Sequence, residues 1–139
     1  MNADNINIPD DIYTIIDRCN INLTHYDVAR IVSIAFKNVY RYVGNKNWEY
    51  KNSSNEWVPD NRALKLKMDI KTVISNLFTT RSLYWYNISD DHHHDINSEI
   101  HAKLMSQKML KAGYKLKDKK FISVVIKEAR SFFDIHIND

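Results

Sequence analysis

Residues 40–59, YRYVGNKNWEYKNSSNEWVP, constrain this chain more than any other stretch. Aromatic residues alternate with polar ones at Tyr40, Tyr42, Trp48 and Tyr50, and Gly44-Asn45 and Asn52–Asn55 supply turn residues between the runs. Alternation of period two bounded by Gly, Asn and Ser marks short antiparallel strands. A third run begins at Trp57-Val58 and stops at Pro59. The stretch therefore predicts a small aromatic β-meander over 40–58, held by Trp48, Tyr50 and Trp57. A meander of this size buries too little surface to stand alone. It must lean on helices, so Trp48 and Trp57 are expected against them.

Helical patterns flank the meander on both sides. Ile8-Pro9-Asp10-Asp11 suits a helix start, and Ile12, Ile15, Ile16 and Cys19 follow at helical spacing, predicting a helix over 10–19. Thr24 with Asp27 three residues on has the form of a capping box. Val28, Ile31, Val32, Ala35, Phe36 and Val39 then place one apolar face on a helix over 25–38. Ala63, Leu66, Ile70, Val73, Ile74 and Leu77 do the same for 61–80. Residues 81–97 lack a period and read as a connection. A helix over 98–112 should stop at Gly113, and Phe121, Ile122, Val125, Ala129, Phe132 and Phe133 mark a last one over 119–134. The expected fold is α+β: a mainly helical single domain over 1–139, with four to five helices, one antiparallel meander and residues 1–8 as an arm.

Composition agrees with one domain. A chain of 139 residues buries a core without staples, and 44% hydrophobic residues with dispersed charge argue against disorder. The single cysteine, Cys19, has no internal partner and reads as a buried thiol of a reducing compartment. The opening MNADNINIPDD has neither a basic nor an apolar region, so secretion is not expected. No apolar run reaches the roughly 20 residues of a membrane span, so no membrane partner is expected.

The sequence argues against several chemistries. Glycines stand only at 44 and 113, and neither lies beside Lys-Ser/Thr, so no phosphate-binding loop or dinucleotide fingerprint can form. CxxC, HExxH and GxSxG are missing too, and Asp10/Asp11 and Asp90/Asp91 sit at a helix start and in a loop. The reading is a non-enzyme with no catalytic residues, no cofactor and no small-molecule substrate. His92, His93 and His94, between Asp91 and Asp95 with His101 beyond, form one metal-like cluster. Consecutive side chains diverge whereas a structural zinc needs four converging ligands, so no metal site is assigned.

Charge is the remaining signal. The net charge is only +3, yet residues 103–130 hold nine Lys/Arg against Asp118 and Glu128. Two sets, Arg62/Lys65/Lys67/Lys71 and Lys115/Lys117/Lys119/Lys120, could neutralise phosphates without reading bases. They are the candidate nucleic-acid contacts. A solvated helix face is the competing explanation for both.

Three segments carry a resemblance: HYDVARIVSIAFKNVYRYVG at 25–44, NWEYKNSSNEWVPDNRALKLKMDIKTVISNLF at 47–78 and KLKDKKFISVVIKEARSFFD at 115–134. Together they resemble the non-catalytic segment that precedes the superfamily 3 helicase module in primase–helicases of nucleocytoplasmic large DNA viruses, the poxvirus-type family. The matching positions are His25, Asp27, Val28 and Ala29, then Trp48, Tyr50 and Trp57, then Leu116, Phe121, Ile126, Glu128, Arg130 and Phe133. Residues 79–114 align poorly. The family's catalytic motifs lie outside this segment, so the resemblance implies a non-catalytic module of a viral replication system that contacts DNA or a partner protein. The implied location is the replication site in host cytoplasm or nucleus. The alternative is a small structural virion protein acting through protein contacts, built on Leu83–Tyr86 and the acidic N-terminal arm.

Overall fold

The computed structural model describes residues 6–19, 23–90 and 95–136. Among the described residues it is a mainly helical α+β fold of five helical rods and one three-stranded antiparallel sheet. Helices α1 (Ile12–Arg18) and α2 (His25–Ala35) precede strands β1 (Tyr40–Gly44), β2 (Asn47–Lys51) and β3 (Trp57–Asp60). Helix α3 (Leu64–Asp69) passes through a π-helical turn (Ile70–Ile74) into α4 (Ser75–Ser89), and α5 (Ile96–Lys115) and α6 (Lys119–Phe133) complete the chain.

The capping box forms: the Asp27 backbone N–H donates to Thr24 Oγ1 at 3.0 Å, and Asp27 Oδ2 accepts from the Thr24 N–H. Helix α2 ends at Ala35, earlier than its apolar period, because Asn38 turns left-handed (φ 66°) to send the chain into β1. The first β-turn carries positive φ at Asn45 and Lys46, the twist that a two-residue hairpin loop requires.

Strand register sorts the aromatics. Tyr40 pairs with Tyr50 and Tyr42 with Trp48, while Trp48 pairs with Asp60 and Lys51 with Trp57. Side chains alternate, so Trp48 and Trp57 face opposite sides of the sheet. Trp48 is 2% exposed and meets Phe133 of α6 ring to ring at 5.4 Å. Trp57, expected against the helices, instead lies half-buried on the outer face beneath Arg41 (4.5 Å) and Lys51 (5.0 Å). The core runs from this inner face through α2 and α6 to α1 and α4, with Ile16, Ile31, Phe36, Leu66, Ile70, Phe78 and Val125 fully or almost fully buried.

Two further expectations are corrected. Residues 81–89 are no connection but the second half of α4. Their helical period is masked because Leu83, Tyr84 and Tyr86 face solvent, and the anchors are polar. Arg81 grips Asp17 of α1 through two bonds (3.0 and 2.6 Å), Trp85 Nε1–H donates to the same carboxylate at 3.0 Å, and Ser82 Oγ donates to the Ser106 carbonyl at 2.7 Å. Gly113 likewise does not end α5. It lies inside the helix where α4 passes closest: a Cβ there would stand 3.2 Å from Thr79 Oγ1, and Ser75 Oγ donates to the Gly113 carbonyl at 3.0 Å. Of the expected arm, Ile6 and Ile8 pack on the core. The cluster His92–His94 lies outside the described residues, whereas Asp95 caps α5 by accepting from Ser98 N–H and His101 packs edge-on to Trp85.

Candidate nucleic-acid interface

The segment between β3 and α3 sets the geometry of the basic surface. Asp60, buried at the end of β3, accepts from the Lys65 and Leu66 backbone N–H groups at 2.9 Å and so caps α3. Arg62 and Ala63 are both left-handed (φ 56° and 54°), which turns the chain sharply and leaves Arg62 exposed. Asp69, one turn on, pins α3 to the sheet. It accepts from the Tyr40 hydroxyl and pairs with Lys65 Nζ at 2.9 Å, and both Tyr40 and Asp69 are 2% exposed. Burial first, then the hydrogen bond and charge of Asp69, push the Tyr40 hydroxyl far above its ordinary pKa. Lys65, expected on phosphate, is therefore committed to this buried anchor and lines no basic cleft.

The other predicted cations of α3 meet those of the α5–α6 turn. Lys67 and Lys71 from α3 with its π turn, and Lys117 and Lys119 from the turn into α6, rim a groove of about 270 Å³. Its floor is apolar: Leu64 (58% exposed), Met68 (55% exposed) and the buried Ile122. Next to it lies a cleft of about 500 Å³ that shares Lys67 and adds Lys46, Arg62, Lys127 and Arg130. Four cations line the groove and five the cleft, with Lys67 in both, so eight cationic residues line two concavities that meet at Lys67. No carboxylate lines either part. Asp118, between Lys117 and Lys119 in sequence, is occupied as the cap of α6, accepting from the Phe121 N–H at 2.9 Å. Lys119 and Lys120 occupy the first turn of α6, where the helix dipole disfavours cations and adds to the positive potential.

The remaining predicted residues lie elsewhere. Lys115 sits over the Phe121 ring (5.1 Å) and lines a separate cleft with Lys108 and Lys111. Lys120 is exposed but lines neither the groove nor the cleft. Lys127 and Arg130 were not picked out as phosphate contacts by charge runs. They stand three apart on α6 with Glu128 between them, and only the helical period, which puts them on the flank beside Ser123, marks them. Trp48 and Tyr50 face the inner side of the sheet and Trp57 is covered by Arg41 and Lys51, so no aromatic platform for base stacking opens on the meander.

Compared with protein-family models and with curated proteins, the chain matches none. Among the described residues no group of three or more His, Cys, Asp or Glu gathers as metal ligands would, and no helix is long and apolar enough to cross a membrane.

Proposed function

We propose that this chain is a non-catalytic nucleic-acid-contacting module, and that the groove and cleft along α3 and α6 form its contact surface. The observation that carries the reading is the gathering of eight cations along two concavities that meet at Lys67 and are lined by no carboxylate. Cations spread for solubility are usually interspersed with acids. Gathered ones create a potential that draws in a polyanion. The resemblance to the segment ahead of viral superfamily 3 helicases supplies the setting: a large-DNA-virus replication system, with DNA as the polyanion.

Charge reversal tests the reading. Lys67→Glu, Lys71→Glu, Lys117→Glu and Lys119→Glu together should remove DNA binding at physiological salt and leave the melting temperature within a few degrees. Lys108→Glu with Lys111→Glu, in the separate cleft, should change it little. Equal loss in both variants would mean that net charge alone binds DNA, and the surface assignment would fail.

A second reading is a structural virion protein working through protein contacts. It is favoured by the exposed apolar side chains Leu83, Tyr84 and Tyr86 on α4 and Ile96, Ile100, Leu110 and Tyr114 on α5. Co-purification with particles, together with no affinity for DNA, would move it ahead.

A further inference from the structure

We infer that the cleft between the β1–β2 turn, Arg62 and α6 is a discrete oxyanion site that seats one phosphate monoester group. The inference rests on the nucleic-acid reading and sharpens it, from a diffuse basic track to a built site for a terminal phosphate.

Charge is the first support. Lys46, Arg62, Lys67, Lys127 and Arg130 line the cleft, and none of them enters an ion pair among the described residues. The ion pairs Arg41–Glu49, Lys65–Asp69 and Arg81–Asp17 hold other cations elsewhere. Five like charges converging without a counter-charge repel one another, and a bound anion relieves that repulsion.

Unmatched donors are the second. Trp48 and Arg130 both line the cleft, and the Trp48 indole N–H and the Arg130 Nε–H are the only buried side-chain polar groups left without a partner among the described residues. Buried donors nearly always find an acceptor in the protein or in something bound to it. Arg130 rests its guanidinium on the Tyr42 ring (5.3 Å) instead of on a carboxylate, and Tyr42 in turn meets the Trp48 ring at a tilt, 5.3 Å between centroids. This wall holds the guanidinium beside the cleft with no carboxylate to neutralise it.

Backbone is the third. Lys46 and Arg62 reach the cleft from two left-handed pairs, Asn45-Lys46 and Arg62-Ala63. A hairpin turn demands the first pair. The second has no glycine where its φ values favour one, and strain of that kind persists where the surrounding structure enforces it, often at a functional site.

The cation count matches a phosphate monoester, which carries about −1.5 to −2 at pH 7, better than the single charge of an internal phosphodiester. The group can come from a strand end or from a small phosphorylated molecule, and the same experiment separates the two. The protein has three tryptophans, so a ¹⁵N-labelled sample shows three indole N–H signals, and Trp85 is already bonded to Asp17. Titration with inorganic phosphate, against chloride at equal ionic strength, should move the Trp48 signal saturably and leave Trp85 in place. Arg62→Gln with Lys127→Gln, both exposed positions, should weaken that response at least about tenfold, as loss of charge-assisted hydrogen bonds does. A Trp48 signal that moves no more with phosphate than with chloride overturns the site, even if labelled DNA still binds the groove. A 5′-phosphorylated oligonucleotide that moves the same signal, where its 5′-hydroxyl twin does not, identifies the strand end. Saturation by free phosphate without any effect of the phosphorylated oligonucleotide keeps the site, assigns it to a small phosphorylated molecule and detaches it from the nucleic-acid reading.

Discussion

Replacing Tyr40 with Phe tests the anchor that holds α3 and its lysines against the sheet. The substitution removes one hydroxyl and little volume, so the packing of the ring against Phe36 (5.4 Å) survives. It deletes the hydrogen bond to Asp69. Both partners are 2% exposed, so water cannot replace it, and the acceptor is a carboxylate. A hydrogen bond to a charged group is worth about 1.5–3 kcal/mol, and Lys65 at 2.9 Å still partners Asp69 afterwards, so the cost should be about 2 kcal/mol. For a chain of this size that lowers the melting temperature by about 6–8 °C. The alkaline limb gives an independent reading. Tyr40's pKa is raised above its ordinary 10.0, so above that pH the unfolded chain releases a proton that the folded chain keeps. The hydroxyl's contribution is therefore complete below pH 10 and is lost as pH rises beyond it, by about 1.4 kcal/mol per unit. Urea melts of wild type and Tyr40→Phe between pH 7 and 11.5 should converge above pH 10 by that slope. A difference below about 0.5 kcal/mol at pH 7, or parallel alkaline limbs, would refute the buried anchor.

Other expectations follow from single residues. Burial, reinforced by the charge of Asp27 and partly offset by Arg30, pushes the Cys19 thiol up to about 11, and its Sγ–H donates to the Ile15 carbonyl at 3.2 Å. Its reaction with a disulfide reagent should be slow at pH 8 and accelerate through a midpoint near that value; a midpoint near the ordinary 9.0 would contradict the packing. Gly113→Leu should cost about 2–3 kcal/mol by overpacking the α4–α5 contact, seen as a lower urea midpoint. A neutral result would mean that the two helices separate readily.

The elements legible in the sequence are those whose stability is apolar and periodic. Helices α2 and α6 and the meander each bury a face with the period of their own structure, and the Thr24–Asp27 box writes a helix start in four residues. What escaped is held by polar contacts between distant residues. The second half of α4 is tied down by Asp17, some 64 positions earlier, and by Ser106, while its apolar side chains face out. Gly113 carries two opposite meanings, a helix end or a close approach, and only the neighbouring helix decides between them. The candidate surface was half legible for a similar reason. Charge runs pointed to Arg62, Lys67, Lys71, Lys117 and Lys119, but a buried carboxylate takes Lys65, Lys115 and Lys120 lie outside both concavities, and the fold brings in Lys46, Lys127 and Arg130.

The most direct test of the contact surface is fluorescence anisotropy of labelled single- and double-stranded DNA, titrated with the wild-type chain across a salt series. Each phosphate engaged adds about 0.9 to the slope of log affinity against log salt on duplex and about 0.7 on single strands. With eight cations available, several of them simultaneously on phosphates, the slope should lie between about −3 and −6. Binding that weakens along such a line would uphold the account. No binding at low salt would reduce the groove and cleft to solvated surface, and the protein-contact reading would take its place.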